Sequence, residues 1–128
     1  MSRPPSNRAA HVGVVALLLA LSAAVFYRSL DGEFLYDDIY VVLRNPEIRH
    51  GLRNLPELFT GSYWDFLDPE TAQRVGYWRP LSSAALSVAH VLGNGAPKPF
   101  HALSLCAHLA ATALAYVYVL RLSRKVGS

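Results

Sequence analysis

One cysteine in 128 residues, Cys106, leaves no disulfide framework and no cysteine-based metal site. Charge is scarce as well. Only 16% of the residues are Asp, Glu, Lys or Arg, against roughly 25% in an ordinary soluble domain. The 12 Lys and Arg residues outnumber the 9 acids, yet they form no dense basic tract. Without such a tract there is no footprint for nucleic acid, and none is expected as a partner. Several basic residues instead flank apolar runs, where they act as topology signals. No acid or thiolate stands near the histidines at zinc-ligand spacing, so neither a metal nor another cofactor is expected.

What the chain does have is apolar residues gathered in blocks, 52% of the total, with mean hydropathy +0.22. That pattern predicts an all-α membrane protein. Two to three transmembrane helices would flank an extracytoplasmic loop of short interfacial helices. Residues 1–8 read as a basic cytoplasmic lead. Residues 9–27 (AAHVGVVALLLALSAAVFY) carry no acid, Lys or Arg and are about long enough to cross hydrocarbon. Their Leu, Val and Phe residues together favour insertion by on the order of 3–5 kcal/mol. Arg3 and Arg8 before the run place the N-terminus in the cytoplasm. Ser22-Ala23-Ala24 also resembles a signal-peptide cleavage site, which would make the product secreted or periplasmic.

The loop, residues 28–79, then lies on the far side of the membrane. Asp37 is placed to cap a short helix over 38–43, and Asn45-Pro46 to stop it. Asn45 is also a candidate cap for a second helix that begins at Pro46 and Glu47. A third is predicted over 54–59, closed by Gly61. Tyr63, Trp64 and Phe66 form an aromatic cluster suited to the headgroup level. Asp68-Pro69-Glu70 reads as a turn.

Residues 80–93 make a short second membrane helix, started by Pro80 and ended at Gly93-Asn94-Gly95. Ser82, Ser83, Ala84, Ala85 and Ser87 give it a small-residue surface for close packing. Residues 99–120 are a full-length span, followed by a basic tail over 121–128. If 80–93 is re-entrant, both termini are cytoplasmic and the basic tail obeys the charge rule. If it spans, the tail lies outside. Both arrangements stay open at this level.

The motifs resemble a known family. Phe34-Leu35-Tyr36-Asp37-Asp38, Asn45-Pro46, Tyr77-Trp78-Arg79-Pro80-Leu81, Leu92-Gly93 and Pro99-Phe100-His101 occur in one order. That order is similar to the one in the transmembrane and tetratricopeptide-repeat O-mannosyltransferases. More broadly it resembles the N-terminal module of GT-C glycosyltransferases, which include the protein O-mannosyltransferases. The resemblance implies three spans and an acidic pair at the active site, here Asp37 and Asp38. It also implies a basic Pro-Leu motif opening the second span, here Arg79-Pro80-Leu81. Members of that family continue through many more spans and often a repeat domain, so the chain is expected to be the N-terminal part of such an enzyme.

The implied reaction moves a mannose-like sugar from a polyprenyl-phosphate donor to a hydroxyl of a protein or glycan acceptor, with inversion. It needs a base for the acceptor proton and a cation for the departing phosphate. Asp37 is assigned as the base, Asp38 as its orienting or acceptor-binding neighbour, and Arg79 as the lipid-phosphate ligand. His101 and His108, seven residues apart on one helix face, are candidates for a supporting role. Each has a plainer reading. The acids serve as a helix cap and a solvated charge, Arg79 as an interfacial anchor beside Trp78, and the histidines as paired packing. The rival function is a non-catalytic membrane anchor or assembly partner. Alanine, arginine and proline content points to a bacterial inner membrane with a periplasmic loop, or to the endoplasmic reticulum if the source is eukaryotic.

Overall fold

A computed structural model describes residues 8–68, 70 and 76–126. Its described elements are helical, and they fall into two compact units: residues up to Arg28 together with those from Ser104 onward, and Ser29–Leu103 between them.

The first unit pairs α1 (Arg8–Phe26) with the C-terminal part of a long helix, Pro97–Val126. At 1.5 Å per residue α1 is about 28 Å long, close to the ~30 Å hydrocarbon core. It buries none of its residues: Leu17 is 59% exposed and Val25 70%. A helix apolar on every side with no residue fully buried has lipid as its natural solvent. Both this helix and Pro97–Val126 are long and apolar enough to cross a membrane.

Two side-chain contacts tie the pair. His11 Nδ1 and the Tyr116 hydroxyl lie 2.7 Å apart, and the Phe26 and His108 rings meet edge to face at 4.9 Å. Residues early in α1 therefore meet residues late in its partner, so the two helices run antiparallel. Thr112 and Ser123 return their hydroxyls to the carbonyls of His108 and Val119, which satisfies both within the helix.

The second unit is built from short turns packed on one helix. A 3-10 turn (Tyr27–Asp31) leads in, and a five-residue π turn (Ile39–Leu43) buries Val41 and Val42. Next come α2 (Pro46–Arg49), a 3-10 turn (Gly51–Asn54) and α3 (Leu55–Thr60). Asn45 caps α2 as expected, its side chain accepting the Glu47 N–H at 2.9 Å. All three lie against α4 (Pro80–Gly93). The turn expected at Asp68-Pro69-Glu70 falls on a residue outside those described.

The small residues of α4 explain the close approach. Ser83, Ser87 and Ala89 are buried, and the Ser87 hydroxyl is satisfied by the Ser83 carbonyl at 3.0 Å. Ser82 lies on the outer, exposed face. Gly51 is required where it stands. Its φ is +63°, and a Cβ there would lie 2.7 Å from Val91 Cγ2. The core joins Val42, Ala89 and Phe100 with Phe34, Leu86 and Leu103, and Phe34 meets Phe100 edge to face at 5.2 Å. At 14 residues α4 is about 21 Å long, short of a full bilayer core. The last helix, α5 (Pro97–Val126), runs beyond the predicted span at both ends.

Candidate active site

Two loops carry the candidate residues, and backbone geometry brings them together. In the first, Tyr36 takes a left-handed conformation (φ +47°), which folds the chain back on itself. Asp38 closes that fold: its carboxylate accepts the Leu35 N–H at 3.1 Å, while its own N–H donates to the Leu35 carbonyl at 3.0 Å. The expected Asp37 cap is not formed, and Asp38 at the cap position bonds back to Leu35 rather than to an N–H of the turn it opens. Asp38, not Asp37, stands at the start of the π turn and makes the local bond. Asp37 is exposed, and no hydrogen bond or ion pair with a described residue engages its carboxylate.

In the second loop the Tyr63 N–H donates to the Tyr77 carbonyl at 2.7 Å, and the Ser62 hydroxyl reaches the same oxygen at 3.3 Å. Trp78 Nε1 donates to the Phe59 carbonyl at 2.9 Å. These bonds fix the strand of chain before α4 beside the aromatic cluster. Arg79 follows, and its guanidinium lies over two rings, 5.0 Å from the centre of Tyr77 and 5.7 Å from that of Tyr63. A cation held between π faces is oriented without being neutralised.

The result is one cavity of about 220 Å³ with Asp37, Asp38, Tyr63, Trp64 and Arg79 in its wall. Val41, Val42 and Leu86 supply its apolar side. Asp37 and Arg79 share it without an ion pair between them. Tyr63 senses both signs of charge. Burial pushes its phenol above the usual value, Arg79 pulls it down, and Asp37 and Asp38 push it up. Tyr63 thus feels the acids and the guanidinium of the same cavity wall, and no ion pair joins Asp37 to Arg79.

His101 and His108 are not part of this cavity. His101 lies against Phe34 and beside Gly32 in the loop unit, whereas His108 packs on Phe26 in the other unit. Their seven-residue spacing gives a common helix face and no common site. Among the described residues no group of three His, Cys, Asp or Glu side chains could hold a metal ion.

Relatives with names match over most of this chain. Protein O-mannosyl-transferase TMTC1 of Homo sapiens is 32% identical over 114 residues, covering 86% of this chain and 13% of its own length. Its Mus musculus counterpart is 30% identical, covering 87% of this chain and 12% of its own. The Drosophila melanogaster Tmtc1 protein is 26% identical over 77% of this chain and 11% of its own. The chain is a relative of the TMTC O-mannosyl-transferases. It spans about an eighth of the human TMTC1 protein's length. No family model and no solved structure matches it.

Alongside the acids and the arginine, the cavity is lined by Tyr63 and Trp64, two members of the aromatic cluster expected at the headgroup level. The sequence signal was present as aromatic residues flanking both Asp65 and Arg79, but nothing local in it tells a cation platform from an interfacial belt.

Proposed function

We propose that this chain supplies the base and the donor-phosphate ligand of a membrane O-mannosyl transfer, as part of a larger catalytic body. The observation that carries this reading is the convergence of Asp37 and Arg79, about forty residues apart in sequence, on one cavity wall. Asp37 takes the proton of the acceptor hydroxyl as its oxygen attacks the anomeric carbon. The bond from that carbon to the phosphate oxygen breaks on the opposite face, which inverts the centre. Arg79 neutralises the charge that builds on the departing polyprenyl phosphate. Asp38, tied to Leu35, holds the turn and keeps Asp37 forward. The donor is a polyprenyl-phosphate sugar and the acceptor a protein or glycan hydroxyl. The TMTC relatives' names support both the transfer and the sugar.

The decisive experiment grafts this chain in place of the matching segment of human TMTC1 and measures mannose transfer from a polyprenyl-phosphate donor. Transfer within about tenfold of the parent is expected, since the graft brings both the acid and the arginine of one cavity wall. A graft that inserts and accumulates but transfers nothing would favour a non-catalytic anchor.

For the membrane arrangement we propose two spans, α1 and α5, with α4 packed into the extracytoplasmic loop. Antiparallel pairing of α1 with the later part of α5 supports this, because a third span between them would make them parallel. It also returns Arg121, Arg124 and Lys125 to the side where Arg8 begins, as the charge rule asks. On composition the membrane is a bacterial inner one with the loop in the periplasm; in a eukaryote the same geometry faces the lumen of the endoplasmic reticulum. In a Cys106→Ala background, single cysteines at Ser2, Glu33 and Val126 test it. An impermeant thiol reagent should label only the Glu33 site in intact cells. Joint labelling of the Glu33 and Val126 sites would restore the third span.

A further inference from the structure

A second cavity in the loop unit, about 470 Å³, opens between α2 and the end of α4. Its wall is formed by Pro46, Arg49, His50, His90 and Asn94. None of these residues lines the Asp37 cavity. Three of the five carry or can take positive charge, and no acid lines the space. Neither Arg49, His50 nor His90 has a side-chain hydrogen bond or ion pair with a described residue. Basic residues at helix ends often answer the helix dipole. That reading does not account for Arg49 and His50 together, since α2 is a single turn of four residues with little dipole to offset.

His90 is held in a specific pose. Asn94 and Gly95 both take left-handed conformations, at φ +49° and +82°, and the Gly95 N–H returns to the His90 carbonyl at 3.2 Å. A Cβ on Gly95 would lie 3.3 Å from His90 Cε1 and 3.6 Å from Nδ1. The Cε1–Nδ1 edge of the ring is therefore set against the turn, with Nδ1 buried and unbonded. Nε2 has no hydrogen bond or ion pair with a described residue, and His90 lines the cavity. Nearby, Glu47 has its carboxyl pushed up by burial first, then by Asp65 and Glu57, with His50 opposing. Glu47 is not part of the wall.

We propose that this cavity binds a phosphate group, with Arg49 as the forked donor and His50 and His90 Nε2 as its flanking donors. The phosphate is either the headgroup of a membrane lipid, which would pin α2 and α4 to the bilayer surface, or a free phosphate. The site stands apart from mannosyl transfer and does not depend on that reading.

The test places the full chain, labelled with ¹³C at histidine Cε1, in nanodiscs of neutral phosphatidylcholine at constant pH. Inorganic phosphate is titrated in one arm; in the other, phosphatidic acid replaces part of the lipid. The His50 and His90 signals should move together and saturate, while those of His11, His101 and His108 stay in place. Arg49→Gln, at an exposed position, should weaken the response about tenfold or more, with the three distant signals confirming an intact fold. Response to phosphatidic acid alone makes the ligand a lipid headgroup; response to inorganic phosphate makes it a phosphate from any source. No response in either arm, movement of all five histidines alike, or equal affinity in Arg49→Gln would overturn the proposal.

Discussion

Asp37→Asn should lower mannosyl transfer by about 10²–10⁴-fold, the usual contribution of a positioned general base, without changing insertion or accumulation. The structure makes this substitution unusually clean. Asp37 is exposed, it closes no turn, and no hydrogen bond with a described residue would be lost. Asparagine has nearly the same shape, so what it removes is the ability to take a proton. Asp38→Asn forms the contrast. Its amide oxygen can still accept the Leu35 N–H, so the turn survives and transfer should fall by no more than about tenfold. Rates measured in the human graft, with donor and acceptor both saturating, separate the two acids. If the Asp38 variant is the crippled one, the base has been misassigned; if neither is, the acidic pair is structural.

Much of the frame was readable because it depends on local physics. The apolar run before Tyr27 and the one after Pro97 are long enough to define spans by themselves. Asn45-Pro46 and Gly93-Asn94-Gly95 marked helix limits through capping and left-handed turns, which are decided by the residues on the spot. The site's chemistry was readable as residue types in order. Its assembly was not. Tyr36 is not a glycine, so nothing in the sequence announces its left-handed turn or the bond that Asp38 returns to Leu35. The bond from Tyr63 to the Tyr77 carbonyl spans residues far apart in the chain, and long-range pairing has no local signature. That one bond brings Tyr63 to the loop that carries Arg79, whose guanidinium lies over its ring. Conversely, periodicity put His101 and His108 on one face, and the division of α5 between two units gave them different neighbours.

Arg79 carries the other large expectation. In nanodiscs holding the full chain, a polyprenyl-phosphate sugar should bind about 10–100-fold more weakly to Arg79→Ala, the loss of one or two charge-assisted hydrogen bonds. Arg79→Lys should recover part of that loss and remain about tenfold weaker than the parent. Lysine keeps the charge but offers no planar fork to two phosphate oxygens, and it stacks less well against the Tyr63 and Tyr77 rings. A plain interfacial anchor predicts otherwise: a snorkelling lysine beside Trp78 would serve as well as arginine, and donor affinity would not change. Tyr63→Phe provides the internal control. It keeps the ring under the guanidinium and removes only the hydroxyl, so donor binding should stay within about threefold. Tyr63→Ala removes one of the two rings over which Arg79 lies, in the cavity that also holds the acids. Arg79 is then free to collapse onto Asp37, and the two would neutralise each other rather than the ligand. Donor binding should fall in Tyr63→Ala toward the level of Arg79→Ala, and adding Asp37→Asn to it should restore a measurable part. Absence of that rescue would leave Tyr63 as packing alone.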